Sequence, residues 1–224
     1  MDVAARAWLG LLVLAALMGV VLFGCAGTMD YRVAWVYLGV FFAGSALITL
    51  YLMKHDRALL ERRVNAGPWA EPRIMQRVIM SLAAIGFGAT IALPALNRRF
   101  EWTSLPLEWI VVGDVLTALG LVVVFFVYRE NTFTSGTIDV AAEQRVIDTG
   151  PYAFVRHPMY AGAVLLLIGT PLALGFAWGL VTLVIIIPAL TWRMMDEEAF
   201  LSKALPGYSS YCARVRWRLI PGIF

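Results

Sequence analysis

The chain has 224 residues, 61% of them hydrophobic and only 15% charged, with a formal net charge of +3. A soluble domain of this length needs roughly a quarter of its residues charged to cover its surface, so that class is excluded. The basic residues collect between long apolar runs, which points to the insertion rules of a polytopic membrane protein and away from nucleic-acid binding.

Six apolar segments follow one another: Ala7–Phe23, Val33–Met53, Val78–Leu96, Leu107–Tyr128, Met159–Gly175 and Phe176–Trp192. A spanning helix needs ~20 apolar residues. The pattern predicts an all-α integral membrane protein with about six transmembrane helices. The first segment, ending near Cys25, looks superficially like a lipoprotein signal, but Phe23 does not suit the small-residue cleavage site. It is expected to remain as the first helix. The second loop carries HDRALLERR, a helical run, and then NAGPWAEP, which breaks it. An interfacial helix with arginines near lipid headgroups is the leading reading there. Covering a site is the lesser one. Asp114, in the fourth segment, is a lone intramembrane carboxylate that keeps a transporter or scaffold reading open. It is read as a helix–helix hydrogen bond or a near-interface residue. The last two segments are short, contain Gly169, Pro171, Gly175 and Pro188, and are expected to form a tight helical hairpin.

Counting Lys and Arg by side gives 15 against 3, which places both termini in the cytosol, with a bacterial inner membrane as the expected location. Cys25 and Cys212 then lie on opposite sides, and neither a disulfide nor a metal site is expected. Residues 1–128 are read as a four-helix transmembrane part. Residues 129–224 are read as the functional core, integrated with it in one domain.

The unusual polar chemistry falls in that core. In DTGPYAFVRHPMYAG, Gly150-Pro151 breaks any helix and Pro158 starts a new one. Arg156 and His157 therefore precede a helix N-terminus, whose free N–H groups suit a ligand carboxylate. Arg and Tyr also anchor helices at interfaces, which accounts for Arg156 and Tyr152 well enough. In TWRMMDEEAFL, Arg193 and Glu197 share a helix face. A solvated ion pair is the plain reading. The hairpin, however, returns them to the side of His157 and Tyr160, where Glu197 could accept from an ammonium and Arg193 could hold an anion. Tyr208, Tyr211 and the tail arginines read mostly as an interfacial basic-aromatic segment.

These three blocks together, GPYAFVRHPMYAG, the Arg193–Glu198 stretch and GYSSYCARVRWRLIPG, resemble the isoprenylcysteine carboxyl methyltransferase family and its phospholipid methyltransferase relatives. The resemblance runs from about Asn131 to the C-terminus, with the blocks in the family's order. LLERRVNAGPWAE is similar to the second loop of bacterial members.

The resemblance implies a helical methyltransferase with S-adenosylmethionine as cofactor, held in a cytosolic pocket between the fourth loop, the hairpin and the tail. Cofactor contacts would fall on Gln144, Arg145, Val146, Ile147, Tyr152, His157, Pro158, Met159, Tyr160 and Glu197. Arg193 would face the methyl acceptor as the catalytic residue. Gln144 stands where the family often has His. The implied acceptor is a lipophilic carboxylate. A phospholipid amine, which needs a base such as Glu198, and a small thiol are alternatives. A nicotinamide-dependent lipid reductase is a further one.

Overall fold

The computed structural model describes residues 1–65, 73–134 and 144–224. The breaker stretch of the second loop after Asn65 and the middle of the fourth loop lie outside the described residues. Eight helices are described: α1 (Val3–Ala26), α2 (Arg32–His55), α3 (Arg57–Val64), α4 (Ile74–Phe100), α5 (Leu107–Glu130), α6 (Pro158–Ala173), α7 (Leu183–Ala204) and α8 (Tyr208–Arg214). No strand occurs among the described residues.

Five stretches are long and apolar enough to cross a membrane: α1, α2, α4, α5, and α7 with the 3₁₀ helix Ala177–Thr182 that leads into it. At 16 residues, α6 is shorter. Its rise of ~1.5 Å per residue leaves it below the ~30 Å of a hydrocarbon core. It nevertheless reaches the far end of the bundle, because Tyr31 Oη, between α1 and α2, donates to the Leu174 carbonyl at 2.6 Å. Gly175, at φ 79°, makes the turn that follows. Large apolar side chains such as Leu12, Val20, Leu47, Ile85 and Val184 remain exposed on the outer surface, as lipid-facing helices require.

α6 packs along α5 at backbone distance. A Cβ on Gly120 would meet the Gly162 carbonyl at 2.8 Å, and one on Gly169 would meet the Gly113 carbonyl at 2.7 Å. Each helix thus carries two glycines seven residues apart, placed opposite those of its partner. Small residues at such contacts replace the hydrophobic effect that lipid cannot supply between helices. Thr90 and Thr182 hydroxyls, 2.8 Å apart, join α4 to the approach of α7, and Tyr37 Oη lies 3.0 Å from Thr170 Oγ1. Asp114 does not take the expected helix–helix hydrogen bond: its carboxylate has no hydrogen-bond partner among the described residues.

The loops sort to two ends. Asp30–Val33, Asn97–Ser104 and the turn at Leu174–Gly175 line a shared cleft at one end. At the other end the N-terminus meets α3, through Arg57 and Asp2 at 3.0 Å and Arg6 and Asn65 at 3.1 Å. α3 in turn meets the fourth loop through Asp56 and Thr132. Both cysteines are free, Cys25 in α1 and Cys212 in α8.

Candidate functional site

The N-terminus of α6 is fixed from three directions. Gly150 takes a left-handed φ of 55° as the first residue of the 3₁₀ turn Gly150–Ala153, and a side chain there would crowd Glu130 at the end of α5. Pro158 opens the helix at a position where no backbone donor is missed. The tail then docks on the residues before it: the Arg156 and His157 amides donate to the Trp217 and Arg218 carbonyls, both at 2.9 Å.

Beneath this junction sits Glu198, the one buried carboxylate among the described residues. His157 Nε2 lies 3.1 Å from its Oε1, and Arg218 Nε donates to its Oε2 at 3.0 Å. Arg156 Nε is 3.1 Å from Oε1, an ion pair without hydrogen-bond alignment. Three partners surround one carboxylate, so Glu198 acts as a clasp between α7, the α6 start and the tail. This weighs against its sequence reading as a candidate base, since three basic side chains already share its charge.

Above the clasp opens a cavity of about 290 Å³. Gln144, Arg145, Val146 and Ile147 form one wall with Tyr152, and His157, Pro158, Met159 and Tyr160 form the second. Arg193 and Glu197, one turn apart on α7, form the third. The structure therefore brings every sequence-predicted site residue to one cavity. Tyr160 Oη donates to Glu197 Oε2 at 2.9 Å, so the carboxylate is aimed from α7 towards the α6 start. Arg193 NH1 donates to Gln76 Oε1 on α4 at 3.0 Å. Gln76 Nε2 donates to Asp196 Oδ2 at 2.7 Å, and Arg73 NH1 reaches the same oxygen at 3.2 Å. Gln76 is only 1% exposed. It fixes the Arg193 fork from one side while Asp196 fixes Gln76.

Tyr208 and Tyr211 depart from the expected interfacial segment. They are 5% and 2% exposed, line the same cavity and pack with Leu205. Tyr211 Oη donates to the Tyr152 carbonyl at 2.8 Å, and Asn131 Nδ2 donates to Tyr152 Oη at 3.0 Å. Burial pushes the Tyr152, Tyr208 and Tyr211 phenols above their usual range, so they stay neutral. Arg63 of α3 and Met80 of α4 also line the cavity. No sequence signal singled out Met80 or Gln76 within the apolar α4, or Arg63 from the other arginines of the polar α3.

Arg63, Arg145, Arg156 and Arg193 line the cavity with one carboxylate, Glu197, and Arg156 among them is paired with Glu198. The site is electropositive with one acidic spot. Met159 and Tyr160 also occupy the first turn of α6, where backbone N–H groups have no partner within the helix.

Residues 109–206 match the family model described as phospholipid methyltransferase. The matched span contains most of α5 and all of α6 and α7, together with the site residues those helices hold in place. It supports a membrane methyltransferase acting on lipid, in line with the family resemblance of the motifs. No curated protein matches the chain.

Proposed function

We propose that this membrane methyltransferase uses S-adenosylmethionine and methylates the carboxylate of a lipophilic acceptor. The donor set suits the cofactor. Glu197 offers a carboxylate for its ammonium, and Arg145 and the α6 start offer donors for its carboxylate. Val146, Ile147, Leu201 and Leu205 offer apolar contact for its base. The cavity volume lies near the low end of the ~300–1,000 Å³ usual for small-molecule sites. When bound, the cofactor supplies a methyl on a sulfonium sulfur, so an acceptor O–CH₃ bond forms as the S–CH₃ bond breaks.

The remaining work belongs to the protein: alignment, desolvation and holding the acceptor's charge. Arg193, fixed by Gln76, would hold the acceptor anion. The observation that carries the carboxylate reading is the state of the two glutamates. Glu197 accepts from Tyr160 and would also take the cofactor's ammonium, and Glu198 shares its charge with His157, Arg156 and Arg218. Both are poorly placed to take the proton that an amine acceptor would have to lose. A phospholipid amine is the second reading, favoured by the description of the matched family.

The test is transfer of labelled methyl from S-adenosylmethionine into the lipid, peptide and small-thiol fractions of the host. A carboxyl ester releases its label as methanol in mild base. Label that resists base would reject the carboxylate and support the amine or a thiol.

Glu197→Gln is expected to weaken S-adenosylmethionine roughly 10- to 150-fold, the cost of one charge-assisted hydrogen bond, by calorimetric titration. Unchanged affinity would return Glu197 to a helix-surface role. Reporter fusions at the two ends are expected to place both in the cytosol, following the basic asymmetry. An external C-terminus would put the cavity on the wrong side for a cytosolic cofactor.

A further inference from the structure

We infer that Arg63 is the entrance seat for an anionic group on a membrane-borne acceptor, selecting the charged substrate over its neutral methylated product. This rests on the methyltransferase reading above.

α3 has three arginines, and the structure treats them differently. Arg57 pairs with Asp2 at 3.0 Å, and Arg62 donates to the Thr132 carbonyl. Arg63 instead lies over the Tyr128 ring, 5.4 Å from its centroid, and lines the cavity. Among the described residues it makes no hydrogen bond and no ion pair. A guanidinium stacked on an aromatic face keeps its in-plane donors open, and those donors match the two oxygens of a carboxylate or phosphate.

Its placement fits an acceptor arriving from lipid. α3 begins right after the apolar α2, with Asp56 capping it by accepting from the Leu59 amide at 2.9 Å. Leu59 and Leu60 are buried, so the helix is held down at the end of the bundle. That is headgroup depth, where the charged end of an amphiphile lies while its chain stays among the helices. Met80 on α4 supplies apolar wall beside it. Arg193 meets the reacting end and Arg63 the entrance, from different helices of the same cavity. The carboxylate meets Arg63 on entering and Arg193 on reacting; once esterified it has no charge for either, which favours release of product.

The experiment uses the full chain in detergent, with tritiated dodecanoate, its methyl ester and dodecyl phosphate as probes. Wild type is expected to bind a charged probe at least about 10-fold more tightly than the ester, and Arg63→Gln to erase about 10-fold of that ratio. Arg63→Lys should retain part of it. Loss confined to dodecanoate identifies a carboxylate acceptor and supports the inference; loss confined to dodecyl phosphate points to a lipid phosphate, whose charge methylation leaves in place, and overturns selection against product. Both variants should bind S-adenosylhomocysteine as wild type does, which also reports that they are folded. With the natural acceptor, Arg63→Gln should raise KM and spare kcat. A wild-type charge ratio kept by Arg63→Gln overturns the inference, as does equal binding of ester and acid by wild type. Failure of wild type to bind S-adenosylhomocysteine would instead overturn the cofactor reading.

Discussion

Arg193→Ala is expected to cut methyl transfer by about 10²- to 10³-fold while S-adenosylmethionine affinity stays nearly unchanged. The magnitude is that of removing one preorganised donor from developing charge in a desolvated site. The preorganisation is visible in the hydrogen bonds that lead to Arg193. Asp196 accepts from Gln76 and Arg73, and Gln76 accepts from Arg193. Arg193→Lys should recover little, since an ammonium cannot keep Gln76 and the acceptor in one plane. Gln76→Leu keeps the guanidinium but frees its orientation. It should lower kcat by a smaller factor than Arg193→Ala. Single-turnover transfer alongside calorimetric titration separates the two effects. Loss of cofactor affinity equal to the loss of turnover would make Arg193 part of the cofactor's own seat.

Glu198→Ala should act on architecture before it acts on chemistry. It leaves Arg156, His157 and Arg218 facing one another without their shared carboxylate. Breaking a fully buried ion pair costs ~3–5 kcal/mol. Arg218 is a third exposed, so about 2–3 kcal/mol is the expected loss here. The tail beyond Arg214 should loosen first, because there it is otherwise held to the α6 start by the Arg156 and His157 amides and by the Arg156 side chain on the Arg216 carbonyl. Trypsin should then cut after Arg214, Arg216 or Arg218 at protease levels that spare wild type. Glu198→Gln should give a milder form, retaining an acceptor for His157 or Arg218. Wild-type proteolysis of the alanine variant would show that the tail is held by other contacts.

The helical class was plain from apolar runs alone, since a span of lipid demands one continuous apolar stretch. The short reach of α6 was legible from its proline and glycine content. Its intimate pairing with α5 was not, because the glycines at 113, 120, 162 and 169 gain meaning only when two helices are laid side by side. At the cavity, the motif blocks carried His157, Tyr160, Arg193 and Glu197. Glu198 was visible as a carboxylate, yet its three partners come from segments far apart in sequence. Tyr208 and Tyr211 misled because an aromatic-basic tail at an interface and a folded-back lid share one composition. Gln76 and Arg63 were silent for a different reason. Around Gln76 in α4 the inner face is mostly apolar like the outer one, so no alternation marks which residue turns inward, whereas Arg63 is one of three arginines on the polar α3 and nothing in the sequence distinguishes it from Arg57 and Arg62.

The glycine contacts between α5 and α6 also bear on motion. Where backbone meets backbone, no side chain stands between the helices to hop between rotamers and absorb a shift. α5 and α6 therefore move as one rigid unit, and the wall formed by His157 to Tyr160 moves with them. Exchange of the proposed cofactor and acceptor would then come from opening of the other walls: the tail, held through Glu198, and the short α3, held by Leu59, Leu60 and polar links at its rim. Amide hydrogen exchange should accordingly be slow along α5 and α6 and faster in α3 and α8, so the cavity opens as a door hung on a fixed post.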